Sequence, residues 1–208
     1  VSPDPAPGDR LTPPPPRDAG AAPASVAGTS CDAPLLRRAR ADDVEQLVAL
    51  TQAAYRGEGG WTTEAHLVGG ARTDGDEVRA MLEDPSISLI VAEEGATLHG
   101  CCYTHREPAD EHGIVRAELG LFAVAPSAQG RGLGGRLLEA QAAALRADGV
   151  DVLMIRVLQS RPELHAWYLR RGFVPVGRSV PFPGNPAELK VAGLGMDVME
   201  RELHPARD

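Results

Sequence analysis

Two stretches of the sequence carry residue types that could do chemistry. The first is Gln129-Gly130-Arg131-Gly132-Leu133-Gly134-Gly135, a glycine-rich run holding one cation, with a second, Arg136, directly behind it. Glycines let the backbone approach an anion. The free N–H groups of a following helical turn point at that anion, and the helix dipole favours its charge. The second is Glu118, an acid at the head of the apolar run Glu118–Ala125. A carboxylate in such surroundings is expected to have a raised pKa, which suits a general base.

The elements that must position these groups follow from the pattern around them. Residues 118–125 read as a buried strand, and alternation predicts that Glu118, Gly120, Phe122 and Val124 share one face. Pro126 and Ser127 are turn residues. Leu133, Leu137, Leu138, Gln141 and Leu145 recur at helical spacing after the glycines. Val152–Leu158 is a second apolar strand. Strand, helix, strand at this spacing predicts a βαβ unit with parallel strands and a right-handed crossover.

Three kinds of anion site compete for the loop. A P-loop needs Lys-Ser/Thr after its last glycine, and this loop continues Gly135-Arg136. A dinucleotide fold needs G-x-G-x-x-G early in the domain, whereas Gly134 follows Gly132 one position too soon. The third pattern, Gln/Arg-x-x-Gly-x-Gly/Ala, is met by Gln129, Gly132 and Gly134. It resembles the coenzyme A pyrophosphate loop of the GNAT superfamily of N-acetyltransferases. A second stretch, Arg161 to Phe173, is similar to the superfamily's later signature Asn-x-x-Ala-x-x-Leu-Tyr-x-x-x-Gly-Phe. Tyr168, Gly172 and Phe173 match it; Trp167 replaces Leu, Leu164 replaces Ala, and Arg161 stands at the Asn position.

The resemblance implies an acetyl-coenzyme A dependent N-acetyltransferase acting by direct attack in a ternary complex. Acetyl-CoA is the expected co-substrate, with no metal. Glu118 matches the superfamily's glutamate base and Tyr168 its general acid, placed to protonate the leaving sulfur. The backbone of Phe122, Ala123 and Val124 is expected to pair with the pantetheine arm. The backbone of Gln129, Gly130, Arg131, Gly132, Leu133, Gly134 and Gly135 is expected to hold the pyrophosphate, with Arg161 adding a phosphate contact. The acceptor is expected near residues 57–73, where Trp61 and Glu64 could bind a cationic amine by ring face and carboxylate. A primary amine of a small molecule is the first acceptor considered. A protein N-terminus or lysine, and a non-catalytic acyl-CoA-binding module, stand as alternatives.

The rest of the chain fits that frame. Short strands are expected at 35–39, 87–92 and 97–105, helices at about 43–55 and 74–82, and a helix opened by Pro162. Strands are expected from Val174 and over 194–202. The expected fold class is α/β: a mixed, mostly antiparallel central sheet with a βαβ coenzyme A-binding unit and flanking helices, the acyl-CoA N-acyltransferase fold. Residues 1–33, rich in Pro and Ala, are expected to be a disordered tail, and 34–204 the N-acetyltransferase domain. The net charge of −8 argues against non-specific nucleic-acid binding. No apolar segment reaches membrane-span length, the three cysteines show no disulfide framework, and a cytoplasmic location is expected. The sequence leaves a homodimer open.

Overall fold

The structure is a computed structural model that describes residues 33–57, 60–61, 63–183 and 185–204. The tail expected over 1–33 therefore lies, apart from residue 33, outside the described residues. Seven strands form one sheet: β1 Leu35–Arg38, β2 Ile87–Glu94, β3 Thr97–Arg106, β4 Arg116–Val124, β5 Val152–Leu158, β6 Val174–Pro181 and β7 Gly195–Glu202. Their order is β1-β2-β3-β4-β5-β7-β6. Only β4 and β5 pair in parallel, so the sheet is mostly antiparallel, as the pattern predicts.

Four helices cover the two faces: α1 Val44–Arg56, α2 Gly75–Glu83, α3 Leu133–Ala147 and α4 Pro162–Leu169. One apolar core joins α1 and α2 to the sheet through Leu47, Leu50, Val78, Leu89 and Val91. The other joins α3 and the end of α4 to the opposite face through Leu137, Leu138, Leu153, Tyr168 and Phe173. In α3 the buried positions Leu133, Leu137, Leu138, Gln141, Ala142 and Leu145 form one stripe. Gln141 is polar in that stripe and nearly fully buried, but its amide is satisfied. It donates to the carbonyl oxygen of Ser88 at 2.6 Å and accepts from Thr104 Oγ1 at 3.3 Å, tying α3 to β2 and β3.

Two aspartates shape the starts of α1 and α2. Asp74 accepts from the N–H groups of Asp76 and Glu77 and so starts α2. The Glu77 carboxylate accepts from Thr73 Oγ1 at 2.6 Å. Asp43, just ahead of α1, accepts from both terminal nitrogens of Arg37, at 2.6 and 2.9 Å, and fixes the entry of that helix beside β1. The hydrogen bonds to Arg37 hold its carboxyl below the usual carboxylate range.

Two features position the site. First, β4 and β5 pair only over Arg116↔Val152, Ala117↔Leu153 and Glu118↔Met154. Beyond Glu118 the two strands part and the sheet opens into a wedge. Second, β4 carries a bulge. Cys101 of β3 faces Ala123 while Tyr103 faces Gly120, so one β3 residue spans Leu121 and Phe122. Leu121 has φ 42°, in a region that non-glycine residues seldom occupy.

The bulge overturns the expectation that Glu118, Gly120, Phe122 and Val124 share a face. Ala117 and Leu119 lie in the α3 core, whereas Ala123 lies in the α1–α2 core. The parity switches in between. Glu118 and Gly120 therefore face the α1–α2 side, Gly120 against the ring of Tyr103. Phe122 and Val124 pack on the α3 side, beside Gly134.

Candidate active site

A cleft of about 910 Å³ runs through the wedge. Its size is that of a small-molecule or cofactor site. At one end stands the glycine loop. Gly130 and Gly132 have φ 79° and 77°, values that glycine adopts without strain, and an added Cβ at either would meet nothing within 4 Å. Gly132 is the N-cap of α3, and no side chain caps that helix. The first-turn amides of Leu133, Gly134 and Gly135 are thus left for an external acceptor.

Between the loop and β4, Gln129 acts as a strut. Its Nε2 donates to the carbonyl oxygen of Val124 at 3.0 Å, and its Oε1 accepts from the N–H of Trp61 at 2.7 Å. Tyr55 donates its hydroxyl to the carbonyl oxygen of Phe122 at 2.9 Å. Burial raises the Tyr55 phenol above its ordinary value, so it stays a donor. These bonds hold the bulged end of β4 while its edge toward β5 remains unpaired beyond Glu118.

On the other side of the opening, Glu118 Oε2 accepts from Arg156 Nη2 at 2.8 Å. Burial raises the Glu118 carboxyl and Arg156 opposes that rise. Arg116, the neighbour along the strand, is turned to Asp110 instead, at 2.5 Å. Tyr103 lies on the same face, and burial and the Glu118 charge raise its phenol.

Tyr168 lines the cleft from α4 and is 6% exposed. Its ring meets Trp167 and Phe173 edge-on, at 4.9 and 5.3 Å between centroids. Burial lifts its phenol well above the ordinary value, with Tyr55 and Cys102 adding to the rise. The hydroxyl is therefore protonated at any physiological pH. Among the described residues it makes no hydrogen bond.

Trp61 and Glu64 both line the cleft. Trp61 is 44% exposed, its ring 6.5 Å from that of Trp167. Glu64 is buried beside Arg56 at 3.6 Å. Burial raises its carboxyl; Arg72, Arg56 and Arg161 oppose the rise.

Arg161 is where the structure departs from the motif reading. It does not line the cleft. Its Nη1 and Nη2 donate to the carbonyl oxygens of Thr63 at 2.9 Å and Trp61 at 2.6 Å, and its Nε pairs with Glu163. Its guanidinium is buried, each of its three nitrogens is engaged, and it holds the carbonyl oxygens of Trp61 and Thr63. Arg131 is exposed, and Arg136 reaches away to the carbonyl oxygen of Pro34 at 2.9 Å. Arg171, which sequence reasoning missed, also stands at the loop. Its guanidinium carbon lies 3.5 Å from the centroid of the Trp167 ring, and its Nη2 is 3.4 Å from the Cβ position of Gly135. Its place directly before the motif glycine Gly172 was the available signal. Arg72 and Arg156 were missed too, because no motif contains them.

No group of His, Cys, Asp and Glu suited to a metal is present among the described residues. No described helix is long and apolar enough to cross a membrane.

Residues 85–175, from β2 through the start of β6, match the family model described as an acetyltransferase (GNAT) domain. Over these residues the chain matches a GNAT acetyltransferase domain. The mycothiol acetyltransferase of Propionibacterium freudenreichii is 32% identical over 167 residues, which cover 78% of this chain and 50% of the relative. The chain thus spans about half the length of that curated relative. The ribosomal-protein-alanine N-acetyltransferase of Brucella melitensis superposes with a TM-score of 0.65 at 22% identity, covering 81% of this chain and 99% of its own. A Salmonella typhimurium structure of the acetyltransferase class, solved with its cofactor acetyl-CoA, superposes with a TM-score of 0.60 at 20% identity, covering 84% and 98%. The structural likenesses show that the sheet and helices described above are the GNAT fold. GNAT domains are of the acyltransferase class, and acetyl-CoA is their co-substrate. The residues here fit that group: an uncapped helix start behind two left-handed glycines, an open strand edge, and a cleft that joins them.

Proposed function

We propose that the domain moves an acetyl group from acetyl-CoA to the primary amine of a small molecule, by direct attack in a ternary complex. One observation carries the reading. A single cleft connects the glycine loop to the Glu118–Arg156 wall through the opening between β4 and β5. Two reactants held at its two ends meet at the bulge, and that proximity lowers the barrier.

In this reading the first-turn amides of α3 hold the pyrophosphate and Arg171 adds charge beside it. The free edge of β4 at Phe122–Val124 pairs with the amides of the pantetheine arm. Glu118 takes a proton from the ammonium, directly or through a water. The freed amine forms a bond to the thioester carbon, the carbon–sulfur bond breaks, and Tyr168 protonates the departing thiolate, while the second proton on the nitrogen passes through solvent to the Tyr168 phenolate and leaves a neutral amide. Arg156 keeps Glu118 ionised, while burial keeps it basic. A small acceptor is favoured over a protein terminus because Glu64, on the acceptor side, is buried within the cleft rather than exposed at its rim.

The test is release of coenzyme A from acetyl-CoA across amines, amino acids, polyamines and basic peptides, beside calorimetric binding of acetyl-CoA. Micromolar binding with turnover on a small amine supports the reading. Turnover confined to peptides moves the acceptor to proteins. Binding without any turnover supports an acyl-CoA-binding module, and absence of binding overturns the site itself.

A further inference from the structure

We propose that the acceptor amine also carries a carboxylate, and that Arg72 recognises it. The inference rests on the acetyl-transfer reading above and narrows its substrate. Three arginines line the cleft away from the glycine loop: Arg56, Arg72 and Arg156. Two are committed. Arg56 lies 3.6 Å from Glu64 and donates to the carbonyl oxygen of Gly70 at 3.1 Å. Arg156 holds Glu118 at 2.8 Å.

Arg72 differs from both. Its backbone is fixed, the N–H donating to Gln52 Oε1 at 3.2 Å. Its guanidinium carbon lies 5.1 Å from the centroid of the Tyr55 ring. Yet among the described residues no carboxylate is within ion-pair distance of it, and nothing accepts a hydrogen bond from its guanidinium. A guanidinium offers five N–H donors in a planar fork that matches a carboxylate, and stacking on an aromatic face suits it. Held against Tyr55, it has already lost part of the freedom that binding would remove.

The opposite charge is at hand for the other end of such a molecule. Glu64 and Glu118 line the same cavity. A zwitterionic amine would set its ammonium toward the carboxylates and its carboxylate on Arg72. A polyamine or an alkyl amine would bring only positive charge beside an unpaired guanidinium, which disfavours it.

The experiment compares matched acceptors: α-amino acids, their carboxamides, and the amines left when the carboxylate is removed. The rate of coenzyme A release is measured with the full chain, for wild type, Arg72→Gln and Arg72→Lys. The expected result is a kcat/KM about 10- to 100-fold higher for the acids in wild type, the factor that a charge-assisted hydrogen bond carries. Arg72→Gln removes that preference, Arg72→Lys keeps part of it, and the acetyl-CoA Kd stays unchanged. Equal rates for acids and amides in wild type overturn the proposal. So does an Arg72→Gln loss shared equally by all acceptors, which would mark a structural role against Tyr55. Should no acceptor turn over, calorimetric binding of the same set to protein saturated with coenzyme A decides. A preference for acids that Arg72→Gln abolishes supports the proposal, and no preference overturns it. Failure of acetyl-CoA to bind wild type is a separate result, and it sinks the acetyl-transfer reading beneath.

Discussion

Glu118 and Tyr168 stand in contrasting surroundings, and the contrast sets what each substitution should do. Glu118 is half-buried and paired with Arg156, so only its ionised form can take a proton. Its pKa is raised, so kcat/KM should rise with pH through a value above the ordinary carboxylate range and then level. Glu118→Gln should lower kcat/KM by about 10²-fold and abolish that limb, with acetyl-CoA binding kept. An acidic limb that persists in the variant would assign the base elsewhere. The Tyr168 phenol is held protonated and has no protein partner among the described residues. Its removal orphans nothing there, so Tyr168→Phe should change unfolding free energy by less than about 1 kcal/mol. Single-turnover kinetics should nonetheless show acetyl transfer roughly 10²-fold slower. A large loss of stability with unchanged transfer would reduce Tyr168 to a core aromatic. Both residues were legible as candidates in the sequence because each falls in or beside a motif. Arg72 and Arg156 do not, and only their placement on one cavity reveals them.

At the scale of elements, the start of α3 and the bulge in β4 make the site. Gly132 sits at φ 77° with open space where a Cβ would be, so Gly132→Ala costs conformation rather than a clash. The penalty is about 1–2 kcal/mol. It falls on the N-cap whose amides are left for an anion. The measurable outcome is a weaker Kd for acetyl-CoA by calorimetry, with a modest drop in melting temperature. An unchanged Kd would argue that the pyrophosphate is held elsewhere. The loop and α3 were legible because glycine spacing and a helical apolar stripe are local signals. The bulge was not. Strict alternation from Glu118 to Val124 reads as an unbroken strand, and nothing in Leu121 itself announces a positive φ. Its cause is the register with β3, a long-range property.

Across the whole molecule, Arg161 links halves that are distant in sequence. From the start of α4 it grips the carbonyl oxygens of Trp61 and Thr63, while Gln129 grips the N–H of Trp61 from the glycine loop. The acceptor-side loop is thus tied to both motif segments. Arg161→Met should destabilise the fold by about 1–3 kcal/mol, because two loop carbonyls lose their donor. It should raise the KM for the acceptor while leaving the acetyl-CoA Kd nearly unchanged. A tenfold weaker acetyl-CoA Kd with an unaltered acceptor KM would instead assign Arg161 to the phosphates.

The sequence by itself determined the fold class, the βαβ unit and the glycine loop. Each is written in a local pattern: the apolar runs of β4 and β5, the stripe of α3, and the glycines between them. Tertiary structure decided the rest. It sent β7 between β5 and β6, parted β4 from β5 after Glu118, and turned Glu118 and Phe122 to opposite faces. It also turned Arg161 onto the carbonyl oxygens of Trp61 and Thr63 and put Arg171 and Arg72 in the cleft. The physical reason is one of range. Hydrophobic period and turn chemistry act over a few residues, whereas charge partners and strand register are set by groups that meet only once the sheet has closed.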